Sequence, residues 1–357
     1  MVVTIKKKRR VNKPLIAVII VLAVLVSVFT TATVIVAVNM DNNFGRGDYP
    51  DTRFTLDFFY DHYSDERPRE EVSFKSGDNT LKGFIYGADN DKALLVFAHG
   101  IGNVHEGYLK ELFWFVDHGW RVFAYDATGS GYSEGDGTRG LPQSALDLDA
   151  ALTFAEGDPR LNDLPVFLMG HSWGGYAVTA VLNFDHEIKG VASVAGYAEP
   201  VEMIYEFSRA VVGDARPLLY PSIWLYNKLR FGKYSGLSAV DGINKSNVPV
   251  LIFHGTNDQT ISYTESAIIN HRSEITNPNA RYITLDGLSH KGMFYTAEAR
   301  EYQNKFSEKR NALYDKFGGE IPEDELIKLY ADADRETMNV PNEELLSQIE
   351  EFFNENM

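Results

Sequence analysis

Gly170-His171-Ser172-Trp173-Gly174 fits the pattern G-x-S-x-G, and its flanks fit a strand that turns sharply into a helix. Ahead of it, Pro165-Val166-Phe167-Leu168-Met169 is a short apolar block of the kind a buried strand shows. Behind it, Gly175-Tyr176-Ala177-Val178-Thr179-Ala180-Val181-Leu182 is small and apolar and reads as a packed helix. A strand-to-helix turn of this kind puts Ser172 at its tip with strained backbone angles. Small residues are needed at 170 and 174 because strand and helix nearly touch there. The helix N-terminus then aims its free N–H groups toward the serine, where the oxyanion of an attacked carbonyl would form. A Gly/Ser loop matches the bare pattern by chance; the strand before and the helix after argue against that reading.

A serine is a poor nucleophile alone, so the chain is searched downstream for an acid and then a histidine, the order in which such elbows recruit their partners. Val248 to Phe253 is an apolar strand running into His254-Gly255-Thr256-Asn257-Asp258. Ala280 to Leu285 is another, followed by the loop Asp286-Gly287-Leu288-Ser289-His290-Lys291-Gly292. His290 is the candidate base for Ser172, and Asp258 the candidate acid that fixes the imidazole tautomer. Taken singly, each is an ordinary loop residue; three in the right order, each at a strand end, make a set. Asp286 is a second candidate acid, only four residues from His290. The strand Ala93 to Ala98 leads into His99-Gly100-Ile101. The backbone N–H groups of Ile101 and Trp173 are the two expected oxyanion donors, and His99 reads as a structural loop histidine without paired metal ligands near it.

With these stretches in hand, the chain resembles an α/β-hydrolase, close to the serine aminopeptidase-like and monoacylglycerol lipase-like branch. The resemblance is carried by Ala98-His99-Gly100-Ile101-Gly102, Tyr125 to Ser133, Gly170 to Gly174, His254 to Asp258 and Ser289-His290, and it spans roughly Glu70 to Thr296 plus the last helix. It implies an α/β fold with a mostly parallel central sheet and helices on both faces. It also implies that the Asp126 loop shapes the site without joining the triad. Esterases, lipases, thioesterases and peptidases share this fold, so the resemblance does not name a substrate. The chain departs from the pattern in a long insert after His290 and a hydrophobic segment ahead of the domain.

That segment, Leu15 to Val38, is 24 residues without a charge. At ~1.5 Å per residue it exceeds the ~30 Å hydrocarbon core, so residues 14–38 are expected to span a bilayer. Lys6, Lys7, Lys8, Arg9, Arg10 and Lys13 precede it in a tail, residues 1–13, that holds no acidic residue; Asp41, Arg46 and Asp48 follow it. The positive-inside rule then puts the N-terminus in the cytoplasm and the catalytic domain outside a cell membrane. A cleaved signal peptide has a shorter apolar region, ~7–15 residues, and no clear A-x-A site precedes Asn39. The basic flank argues against a buried soluble helix.

The chain has 357 residues, no cysteine and a net charge of −16. Thiol chemistry and disulfides are therefore excluded. Without the six N-terminal bases the remainder carries 28 basic against 50 acidic residues, a net −22 that disfavours nucleic acid. There is no phosphate-binding G-x-x-x-x-G-K loop and no repeat. Residues 39–69 read as a polar and aromatic connector in which Phe54 to Tyr60 are expected to form a short helix on the domain or the membrane surface. Residues 70–357 form the hydrolase domain: an antiparallel hairpin, then alternating strands and helices. Residues 199–245 interrupt the alternation as an aromatic lid, expected mostly to glue itself to the body and in part to line an acyl pocket. Residues 298–339 form a helical insert, with Tyr302, Phe306, Leu313 and Phe317 at helix-like spacing. Residues 343–353 form an amphipathic closing helix. The expected function is hydrolysis of a small or medium acyl ester without a cofactor. A serine exopeptidase, holding a substrate ammonium on Glu199, Glu202, Glu206 or Asp214, is the alternative enzyme. A catalytically dead hydrolase fold used as a binding module is the alternative of another class, against which the intact Ser, Asp and His set speaks.

Overall fold

The computed structural model describes residues 13–357; the basic residues Lys6 to Arg10 of the expected tail lie outside the described residues. The first element, α1 (Lys13–Asn43), is a 31-residue helix with only Val36 buried. It runs five residues past the end expected at 38, into the polar stretch Asn39–Asn43. It is the one helix among the described residues long and apolar enough to cross a membrane.

The body follows as β1 (Arg69–Ser76), β2 (Asn79–Tyr86), β3 (Leu94–Ala98), α2 (Leu109–Asp117), β4 (Arg121–Tyr125), α3 (Gln143–Gly157), β5 (Val166–His171), α4 (Trp173–Ala180) and β6 (Gly190–Val194). The lid helices α5 (Pro200–Val212), α6 (Tyr220–Phe231) and α7 (Ala239–Ser246) come next. They are followed by β7 (Val250–Gly255), β8 (Ala280–Leu285), α8 (Ala297–Lys316), α9 (Glu323–Ala331), α10 (Arg335–Met338) and α11 (Glu343–Asn354). The strands make one eight-stranded sheet in the order β1-β2-β4-β3-β5-β6-β7-β8. β2 is antiparallel to both its neighbours, and every other pairing is parallel. β3, β4, β6 and β7 are buried along their whole length, the state of central strands covered by helices on both faces. β1 alternates, with Val72, Phe74 and Ser76 inward, because it is an edge strand with one wet face.

Two core layers flank the sheet. One packs Phe123, Tyr125, Trp173 and Tyr176 between the sheet and α3, α4 and the lid. The other packs Leu112, Phe115, Trp120, Leu346 and Phe353 between the sheet, α2 and α11. The expected stripe of the closing helix, Leu345, Leu346, Ile349, Phe352 and Phe353, is buried throughout. The insert differs from its periodicity. Of Tyr302, Phe306 and Leu313 on α8 and Phe317 just past it, only Phe306 is buried. It forms a small third core with Tyr330 and Met338, against which Phe54 and Leu56 of the connector pack. The first half of α8 docks, through Ala299 and Phe306, and the charged second half projects into solvent. The connector forms no helix over 54–60. Single 3-10 turns at Thr52–Phe54 and Tyr60–His62 brace it against the insert instead, with Arg53 paired to Glu323 at 2.9 Å and Asn339 Nδ2 donating to Leu56 O at 2.7 Å.

The lid also differs from expectation. Ile223, Tyr226 and Phe231 are buried, but Phe207, Leu218, Tyr220, Trp224 and Leu229 face outward.

Candidate active site

Order reverses at β3, whose neighbours β4 and β5 follow it in sequence on opposite sides, and such a switch opens a crevice at the strands' carboxyl ends. The loops after β3, β5, β7 and β8 carry every candidate residue. After β5, Ser172 takes φ 59° and ψ −114°, a non-glycine in the left-handed half of the map. Such strain costs on the order of 1–3 kcal/mol and survives only where the surroundings impose it. They do so here by close approach. A Cβ at Gly174 would lie 1.9 Å from the Ala98 carbonyl oxygen, and one at Gly170 would lie 2.3 Å from that of Gly174. The Ser172 N–H donates to Val194 O at 2.9 Å, pinning the turn to β6.

Asp258 lies just past β7 and His290 in the loop after β8. His290 Nδ1 is 2.7 Å from Asp258 Oδ2. The other oxygen, Oδ1, accepts the N–H groups of Thr260 and Ile261, both at 2.9 Å. Burial works to raise the Asp258 carboxyl, but hydrogen bonds from His254 and His290 outweigh it and hold it well below the usual range. Asp286, the second candidate acid, is exposed and accepts from the Thr256 hydroxyl at 3.0 Å instead. Among the described residues nothing hydrogen-bonds Ser172 Oγ or His290 Nε2, and the Ser–His bond itself is not made; such bonds are often long before substrate arrives. The N–H groups of Ile101 and Trp173 are likewise without a protein acceptor among the described residues.

Three further groups were not singled out from sequence. His254 is fully buried and shares its Nε2–H between Ile261 O at 2.9 Å and Asp258 Oδ2 at 3.2 Å, so one carboxylate oxygen faces two imidazoles. His171, the variable residue ahead of the serine, is buried, which pushes its imidazole well below its ordinary value and keeps it neutral. Its Nε2–H donates to the backbone oxygen of His290 at 3.1 Å. Its Nδ1 therefore accepts from the Tyr108 hydroxyl at 2.8 Å, and that hydroxyl accepts the Gly100 N–H at 3.3 Å. This chain of bonds ties the loop of Ile101 to the loop of His290. The histidine in G-H-S was the available signal, but its partners lie 63 and 119 residues away.

His99 is a strap, as expected. It donates from Nδ1 to Gly100 O at 2.8 Å and accepts the Ala127 N–H at Nε2 at 2.9 Å. Asp126 is fully buried, with Oδ1 2.8 Å from His105 Nδ1 and 3.1 Å from the His105 N–H. The His105 ring stacks on Phe84 at 4.1 Å and reaches Tyr86 Oη at 2.9 Å, so this second His–Asp pair is spent on holding its loop. Two of the lid acids are also spent. Glu206 accepts from Ser262 N, Ser266 N and Ser266 Oγ, and Glu202 lies 3.0 Å from His271, so both are engaged within the protein. Among the described residues no three His, Cys, Asp or Glu side chains are grouped to hold a metal ion.

Residues 89–240 match the family model of serine aminopeptidase, S33. The polyketide transferase grgF of a Penicillium species is 29% identical over 132 residues, 36% of this chain; the match spans 45% of that protein's length. A non-heme chloroperoxidase of Streptomyces lividans is 25% identical over 252 residues, covering 57% of this chain and 86% of that one. The structure of a Pyrococcus furiosus esterase superposes with a TM-score of 0.52 at 16% identity, covering 71% of this chain and 93% of the esterase.

Proposed function

This chain is an α/β-hydrolase by fold, and on that premise we propose that it is a serine hydrolase that cleaves a carboxylic ester through an acyl-enzyme. Ser172 Oγ attacks the ester carbonyl as His290 Nε2 takes its proton. The Ile101 and Trp173 N–H groups receive the oxyanion, and the imidazolium returns the proton to the leaving alcohol. Water then repeats the cycle from the other side and frees the acid. Asp258 holds the proton on His290 Nδ1 throughout, leaving Nε2 bare to act as base. The observation that carries this reading is the 2.7 Å Asp258–His290 pair in the crevice where the strained Ser172 leaves its Oγ unbonded.

The organisation proposed with it is a basic cytoplasmic tail over 1–13, a membrane-spanning anchor over 14–38, a connector over 39–69 and an extracytoplasmic domain over 70–357. The apolar length of α1 supports the anchor. Protease added to intact cells should clip the domain and spare an N-terminal tag; a soluble form starting near Asn39 would mean a cleaved leader instead.

Fluorophosphonate labelling of the full chain tests the chemistry. The unaltered protein should label and Ser172→Ala should not, with hydrolysis of p-nitrophenyl esters lost by several orders of magnitude. Unchanged hydrolysis by Ser172→Ala defeats the assignment. Activity on aminoacyl-anilides alone would turn the reading toward an exopeptidase.

A further inference from the structure

Beside the oxyanion loop lies a cavity of 760 Å³, within the size range of small-molecule sites. One wall is the hydrolase itself, through Ile101 and Leu141. A second is lid helix α5, through Ile204 and Phe207. The third is the membrane-proximal end of α1, through Val36 and Met40. The cavity adjoins the candidate site at Ile101, which lines it, and its lining residue Leu141 is held by the Trp173 indole, whose Nε1–H donates to the Leu141 carbonyl at 2.8 Å.

The end of α1 does not hang on a free tether. Asp41 accepts from Arg230 at 2.8 Å and from the Tyr226 hydroxyl at 3.2 Å, both on α6. Just past the helix, Arg46 donates to the carbonyls of Gly131, Ser133 and Gly135 at 2.6, 2.9 and 3.0 Å. Gly47 exchanges backbone bonds with Gly129 and Gly131, both at 2.8 Å. The lid beside it exposes Phe207, Val211, Leu218, Tyr220, Trp224 and Leu229. Between Phe207 and Lys233 the chain holds five basic residues and one acidic, in a protein otherwise strongly acidic. An outward apolar patch edged with bases, continuous with a bilayer-length helix, fits the interfacial plane of a membrane.

We propose that the end of α1 is a wall of the substrate pocket, so that the site takes esters whose long acyl or alkyl chain enters this cavity from the bilayer. The proposal rests on the serine hydrolase reading above and moves its substrate from the small or medium acyl esters expected from sequence to membrane-lodged esters with a long chain. An anchor that only tethered the domain would not influence chain length; an anchor that walls the pocket must.

The test uses the full chain in phosphatidylcholine vesicles, with p-nitrophenyl esters of two and of twelve carbons. Ala32→Phe and Val36→Trp place bulk in the cavity from α1. Each should lower the twelve-carbon to two-carbon ratio of kcat/KM by about tenfold or more, the loss of roughly two buried CH₂ groups. Val28→Trp, on a stretch of α1 that faces away from the protein, should leave the ratio unchanged. Fluorophosphonate labelling reports that each variant is folded, and Ala32→Phe, at a half-buried position, decides the matter if Val36→Trp does not label. An unchanged ratio in a labelled pocket variant, or an equal fall in Val28→Trp, overturns the wall assignment and leaves the Ser172 reading intact. Failure of the unaltered chain to label would instead remove the Ser172 reading itself.

Discussion

Asp258 faces both His290 and His254 with one oxygen and receives two backbone N–H groups on the other, which leaves its carboxylate no freedom to rotate. Asp258→Asn should therefore present an amide N–H or a mispaired oxygen to His290 and fix the wrong tautomer, with kcat falling by about 10⁴. Asp286→Asn should change kcat by less than about threefold, because Asp286 bonds only Thr256. The reverse ranking in ester turnover would move the acid to Asp286. Glu111 on α2 offers a stability test. Burial, opposed by a backbone hydrogen bond and by Lys291, pushes its carboxyl up to about 7. A raised folded-state value means the protonated form suits the fold. The contribution is then full below the unfolded-state value near 4.5 and is lost as pH rises through about 7. Glu111→Gln should accordingly match the unaltered protein near about pH 4 and exceed it by on the order of 1 kcal/mol or more at about pH 8. Denaturant midpoints at the two pH values measure this; a gap that does not widen with pH contradicts it.

Among the elements, the β5–α4 turn is the one with least room. With the position 174 Cβ set 1.9 Å from the Ala98 carbonyl, Gly174→Ala cannot be absorbed by a flexible side chain. β3 and α4 must part, and the Ile101 loop moves with β3. The expected loss is roughly 3 kcal/mol of stability, in the range of overpacked and strained sites. Fluorophosphonate labelling should drop even in the fraction that stays folded. A variant with unaltered melting and labelling would show that the turn tolerates a wider opening. The insert helices behave differently: α8 docks through its first half, by Ala299, Arg300, Gln303 and Phe306, so the charged surface of its second half is open to substitution.

At the scale of the whole molecule, the strap of residues 44–47 sets how anchor, lid and hydrolase body meet. Arg46 supplies three charge-assisted bonds to one loop, each worth about 1.5–3 kcal/mol where water is excluded and less at this partly exposed site. Arg46→Ala should let the strap open more often. Limited proteolysis of the connector should then speed up by about tenfold, since cleavage follows the population of the open form. Fluorophosphonate labelling, which depends on the body alone, should persist. Equal cleavage rates would mean that the backbone exchange between Gly47 and the 129–131 segment holds the strap without Arg46.

Alternation, apolar runs and the Gly-x-Ser-x-Gly turn report what a few consecutive residues do to their own backbone and burial, and those features the sequence determined by itself. β8 occupies Ala280–Leu285 as read, the closing helix buries its full stripe, and the turn at Ser172 is strained because residues 170 and 174 are glycines. The candidates Ser172, Asp258 and His290 were legible for the same reason, as polar residues at the ends of apolar strands. What joins distant segments was decided only by the tertiary structure. The order of strands carried His290 to Asp258 and made His171 and Tyr108 a link between two loops. It paired Glu202 with His271 and Glu206 with Ser266 and left lid aromatics outward. It also brought α1 against α6 to enclose a cavity. A hydrogen bond or a shared wall depends on where two backbones cross, and local periodicity carries no information about crossings between segments tens to hundreds of residues apart.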